Sequence, residues 1–147
     1  MLQRIQSIYL FFVFLCYFSY SYFGFEYYKK GYDLINMNFD FIFNLSSYFP
    51  YLISITCLVS IFLFKKRILQ IKLVSACMYL STYMIIFSIF YFYLTFNNLI
   101  EIMPSNTYKI LLYAAIINPF FSTYLISLAL NSIKNDEKLV RGEGLIR

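Results

Sequence analysis

Histidine and tryptophan are absent from this chain, and Asp, Glu, Lys and Arg together make only 13% of it. Without histidine the commonest metal ligand and proton shuttle is missing. The seven acidic residues are scattered, so no metal site is expected. Neither HExxH nor GxSxG occurs, and no pair of acids lies inside an apolar run, so an enzyme is not expected. Cysteine numbers three, at Cys16, Cys57 and Cys77, each alone in an apolar run and without CxxC spacing. They read as small apolar residues facing helices or lipid, and no cofactor is implied. Glycine is also scarce, at four. The excess of Ile, Phe, Tyr, Asn and Lys is what drift in an AT-rich genome would produce.

What is present is mostly apolar: 61% of the residues, with 16 Tyr and 18 Phe among them. That is more aromatic surface than a small soluble core could bury, and a membrane is the solvent that fits. The net charge of +5 does not mark a nucleic-acid binder, because the cations do not line one soluble face. A chain of 147 residues suffices for one domain.

Four apolar stretches, at about 5–23, 46–64, 73–96 and 108–133, are long enough to cross ~30 Å of hydrocarbon as helices. Water is lacking there, so each backbone must satisfy itself, and an all-α integral membrane protein follows. The basic start and apolar run of the first stretch also describe a signal peptide. Its length, and the lack of an Ala-x-Ala site, favour an uncleaved anchor.

Short loops set the orientation. The N-terminal end, the KKRILQIK connection and the tail 134–147 hold nine cations: Arg4, Lys65, Lys66, Arg67, Lys72, Lys134, Lys138, Arg141 and Arg147. The other two connections hold three, Lys29, Lys30 and Lys109. The positive-inside rule then puts both termini and the KKRILQIK connection on the cytoplasmic side. Tyr20, Tyr22, Tyr48, Tyr51, Tyr91, Tyr93 and Tyr108 mark the opposite ends, where an aromatic belt is expected.

Between the first two stretches lies an outer loop, 24–45. Its Met37, Phe39, Phe41, Phe43 and Leu45 alternate with Asn38, Asp40, Ile42 and Asn44, and Lys30-Gly31 is a plausible turn. This is the period of a strand. Two readings stand, a small outer β-hairpin or an irregular loop whose Phe residues dip into the interface. Farther along, Pro104 breaks any helix, and Ser105 and Asn106 are N-cap candidates for the last one.

Helix faces are legible in the second half. Cys77, Ser81, Met84, Ser88 and Thr95 fall on one stripe of the third stretch, and Ala115, Asn118, Ser122, Leu125 and Ala129 on one of the fourth. Small and weakly polar residues in such stripes are where membrane helices meet. An antiparallel four-helix bundle is the simplest assembly. Within it, Asn118-Pro119 predicts a kink, since proline leaves the Ala115 carbonyl without its usual donor. The pair reads as a packing feature, with a substrate role the alternative.

Both ends carry distinctive polar runs, MLQRIQSIYL and DEKLVRGEGLIR. They resemble the domain of unknown function 4293 family, small four-span integral membrane proteins of Bacteroidota. The resemblance rests on Gln3, Arg4, Ile5 and Gln6 at the start, and on Asp136, Glu137, Lys138, Leu139, Val140, Arg141 and Arg147 at the end. Gly142, Gly144 and Leu145 stand where the family usually has Ser, Asp and Arg, while Ser132 and Asn135 replace residues that are often basic there. The resemblance implies four spans and supplies no activity or ligand.

Gln3, Arg4 and Gln6 could therefore meet Asp136, Glu137, Lys138, Arg141 and Arg147 on one cytoplasmic face. Such a cluster would clamp the bundle or offer a docking patch. The expected function is structural or accessory, through contacts with the lipid bilayer, a membrane-protein partner or a second copy. A subunit of an oligomeric transporter or channel is the alternative, although the spans lack central charges.

Overall fold

The structure is a computed structural model, and it describes residues 2–26, 28–29, 40–102, 106–140 and 142. Helix α1 covers Leu2–Ser19 and runs on into a π-helical turn, Tyr20–Gly24. Helix α2 covers Asp40–Phe62, α3 Arg67–Ile102 and α4 Asn106–Val140. All four carry segments long and apolar enough to cross a membrane: Ile5–Gly24, Phe41–Phe62, Arg67–Leu94 and Lys109–Val140.

Each helix packs against the next, and α1 also packs against α4, which closes a ring. Neighbours run antiparallel. Gln6 near the start of α1 meets Asp136 near the end of α4, while Cys16 meets Asn118 farther up.

The bundle is apolar on its outside as well as inside, and its interior adds small hydroxyl residues to an apolar core. Large apolar residues face outward on every helix, among them Ile8, Phe11, Phe12, Ile55, Tyr79, Ile86, Ile117 and Phe121. Ser46, Ser54, Ser60, Ser81, Ser88 and Ser122 are buried inside. Lipid tails are as apolar as leucine, so helices in a bilayer gain little by hiding Leu or Phe from them. They gain from close packing and from hydrogen bonds, and small hydroxyl residues allow both.

Burial follows the helical period. On α1 it falls on Gln6, Leu10, Val13, Tyr17 and Tyr20, and on α3 on Gln70, Val74, Cys77, Ser81, Met84 and Ser88. Four of the five stripe residues predicted on α3 are thus inside, the Thr95 side chain lying outside those described. On α4, Ala115, Ser122, Leu125 and Ala129 are buried and Asn118 is half-buried.

A tyrosine–serine ladder crosses the interior. The Tyr17 hydroxyl lies 2.6 Å from Ser81 Oγ, itself 2.5 Å from Thr123 Oγ1, so one polar node ties α1, α3 and α4. Ser46 Oγ and the Tyr83 hydroxyl join α2 to α3 at 3.0 Å. Beyond the first span, the Tyr28 ring packs tilted against Tyr91, with centroids 4.3 Å apart, and its hydroxyl lies 3.1 Å from Ser88 Oγ. Burial pushes this hydroxyl up to about 12 although the bond with Ser88 pulls the other way, so it stays neutral.

Four expectations need correction or limits. No strand occurs among the described residues, and 40–45, the second half of the expected hairpin strand, is the start of α2. Of the alternating aromatics among the described residues, Phe43 is buried and Phe41 is 78% exposed. Phe43, Ser46, Pro50, Ile53 and Cys57 then continue inward at helical spacing, so a few alternating Phe residues imitated a strand by chance. Lys30-Gly31, Met37 to Phe39, Pro104 and Ser105 lie outside the described residues.

Among the described residues the aromatic belt is thinner than expected, the Tyr108 side chain lying outside them. Tyr22, Tyr48, Tyr51 and Tyr93 are exposed, but Tyr20 and Tyr91 are buried in the aromatic cluster around Tyr28, because their turns face neighbouring helices. KKRILQIK is mostly helix, since α3 already begins at Arg67 and the turn is only 63–66. Helix α4 runs through DEKLV and stops where Gly142 takes φ +74°, its N–H 3.3 Å from the Leu139 carbonyl. Glycine accepts that left-handed geometry without a Cβ clash, so Gly142 ends the helix.

Candidate functional site

One end of the bundle holds the start of α1, the end of α4 and the 63–66 turn. It is closed by a layer of polar side chains. Gln6 and Gln70 are amides that α1 and α3 turn inward at the last buried step of their stripes. Gln6 Nε2 donates to Asp136 Oδ2, and both residues are buried. Arg67 Nη1 donates to the Asp136 carbonyl at 3.0 Å, and Gln70 Nε2 donates to the Ser60 carbonyl at the same distance. All four helices are therefore pinned in one layer.

Just outside this layer opens a cleft of about 630 Å³, lined by Lys65, Lys66, Arg67, Ile68, Leu69, Lys72, Glu137 and Val140. The turn supplies two of its cations and the first turns of α3 the other two. The first bond of α3 runs from the Gln70 N–H to the Lys66 carbonyl, so the N–H groups of 67–69 precede the helical ladder and sit beside these cations.

Midway along the bundle, Asn118 Nδ2 donates 2.9 Å to the Cys16 carbonyl, and its Oδ1 accepts from Ser122 Oγ at 3.0 Å. This contact lies beside the π-helical turn of α1. A π-turn shifts the helical ladder by one residue. Side chains donate to three carbonyls around it: Ser19 and Asn118 to Cys16, Ser21 to Phe18 and Tyr51 to Ser21. Helix α4 remains continuous through Pro119, which is buried. An open groove of about 650 Å³ runs between α1 and α4 there, with Gly24 and Ala115 among its lining.

The model of a domain of unknown function, DUF4293, matches residues 2–143 of the chain. This chain belongs to the DUF4293 family. No curated protein and no solved structure matches it.

Within this DUF4293 chain, the two terminal motifs converge. The structure brings together Gln6 and Asp136, and sets Glu137 in the basic cleft next to them. Lys138 is exposed on the last turns of α4. Gln3 and Arg4 belong to the first turn of α1, their side chains outside those described, and Arg141 and Arg147 lie outside the described residues. Among the described residues no group of three or more metal-ligating side chains occurs.

Sequence reasoning missed Gln70, Ser60 and Arg67 as parts of this layer, because KKRILQIK read as a loop. Carrying the α3 stripe back by its own spacing, from Ser81 through Cys77 and Val74, lands on Gln70. That signal was available. Nothing local announces the π-turn.

Proposed function

We propose that this DUF4293 protein is a structural or accessory protein of the bacterial inner membrane, working through contacts that its charged end makes with lipid or another membrane protein. The observation that carries this reading is the joining of the two polar terminal motifs in one buried layer, with a basic cleft directly outside it. An exposed ion pair would add only about 0–1 kcal/mol, so simple stability is a weak reason to gather so much charge there. Asn118 has both ends of its amide engaged with protein, which supports packing as its role over a substrate site.

The orientation follows from the cation count, with the polar layer toward the cytoplasmic side. Reporter fusions test it. Fusions after Lys66 and Arg147 are expected to read cytoplasmic, and one at Gly31 external. An external Arg147 would sink the arrangement.

A photocrosslinker placed at Lys138 tests the function. Lys138 is exposed and next to Glu137 of the cleft. In native membranes it is expected to yield a discrete protein or lipid adduct that a crosslinker at Lys109, on the opposite end, does not give. Indistinguishable patterns from the two positions would remove the reading.

A further inference from the structure

We infer that the cleft between the 63–66 turn and the end of α4 is a selective site for the headgroup of an anionic phospholipid. The inference rests on the surface-contact function proposed for the same end, and names the ligand chemistry. Three independent features converge on it.

The first is charge. Lys65, Lys66, Arg67 and Lys72 line the cleft against one carboxylate, Glu137. Lys65, Lys66 and Lys72 are exposed, whereas Arg67 is half-buried and already committed through Nη1 to the Asp136 carbonyl. Arg67 is thus held in place by the polar layer, while Lys66 and Lys72 face the solvent side and the Lys65 ammonium lies 5.9 Å from the Phe64 ring centroid, a weak contact that a solvent-side anion can outcompete. The N–H groups at the start of α3 add positive potential on the same side.

The second is shape. At about 630 Å³ the cleft falls in the range of small-molecule sites, roughly 300–1,000 Å³. A row of lysines on a flat surface would attract any anionic membrane diffusely, but a concave site gives a headgroup several simultaneous partners.

The third is the apolar rim. Ile68 and Val140 line the cleft and are more than half exposed, and Phe62 at the end of α2 and Phe64 on the adjoining turn are exposed. The segment apolar enough to span a membrane ends at Phe62 on α2, and the next begins at Arg67 on α3. The cleft therefore sits at the level where headgroup gives way to acyl chain. A ligand with a phosphodiester head and apolar tails meets both surfaces; a free phosphate meets only one.

The test uses full-length protein in neutral detergent and native mass spectrometry with dioctanoyl phosphatidylglycerol and dioctanoyl phosphatidylcholine, which share their tails. Phosphatidylglycerol is expected to bind at one per chain and about tenfold more tightly or better, from the loss of charge contacts in the choline lipid. The double variant Lys66→Gln/Lys72→Gln should bind the two lipids alike. Lys134→Gln, an exposed cation of α4 that does not line the cleft, should keep the preference. Equal binding of both lipids by the parent protein overturns the inference. So does an equal loss in the Lys134 variant, which would mean net charge alone was sensed, or competition by sodium phosphate at the lipid's own concentration. If selectivity is absent while Lys138 still captures a protein, only the headgroup inference falls. If selectivity is present, it stands whatever Lys138 captures. Thermal melts of each variant confirm folding, since the altered side chains are exposed.

Discussion

Tyr17→Ala is expected to destabilise the bundle by about 3–5 kcal/mol, the usual cost of truncating a buried aromatic to alanine. Tyr17 is completely buried. Its ring packs edge-on to Tyr20, with centroids 6.4 Å apart, and its hydroxyl reaches Ser81, which leads on to Thr123. Truncation would open a hole where α1, α3 and α4 meet. In a bilayer the loss comes from dispersion contacts more than from exposure to water, because the unfolded side chain would lie in lipid. Tyr17→Phe keeps the ring and removes only the hydroxyl, so it should cost about 0.6 kcal/mol, and at most roughly 1.7. Reversible unfolding in mixed micelles, with each variant titrated by denaturing detergent, measures both. Equal small losses for Ala and Phe would mean that the ring is not enclosed between the helices.

The second expectation concerns the layer that joins the termini. Gln6→Leu and Asp136→Leu should each cost about 1–3 kcal/mol, because each strands a buried polar partner. The double variant removes donor and acceptor together, and paired removal can be close to neutral. Its cost should fall below the sum of the singles by about 1 kcal/mol or more. Strict additivity in the same unfolding titration would refute a direct Gln6–Asp136 interaction. Arg67 and Gln70 bond to backbone carbonyls, of Asp136 and Ser60, so those contacts survive both side-chain changes.

Much of the architecture could be read without coordinates, for a simple reason. Whether a segment crosses a membrane depends on a sum of transfer free energies over about 20 residues, and that sum does not depend on its neighbours. Short connections then make sequential helices antiparallel. Small-residue stripes pointed to the inner faces of α3 and α4, because close approach needs side chains of the kind found at Ser81, Ser122 and Ala129. The terminal motifs stood out as the polar ends of a chain that is otherwise apolar.

Element boundaries and side-chain destinations were less legible. Asp40 to Leu45 alternate like a strand, yet they enter α2 because Phe43, Ser46 and Pro50 continue on one helical face. Tyr20 and Tyr91 have the composition of belt residues, and only the rotation of their helices decides that they pack inward around Tyr28. The π-turn at Tyr20–Gly24 is supported by donors from Asn118 and Tyr51, which lie on other helices.

The sequence by itself determined that this chain is a set of four apolar helices with charge kept to the ends, since hydropathy and charge act locally. Only the tertiary structure decided that Gln6 finds Asp136 across 130 positions, and that the cations of the 63–66 turn and α3 enclose a cleft with Glu137. Those outcomes depend on the rotation and depth of each helix, which are set by packing between segments far apart in the chain.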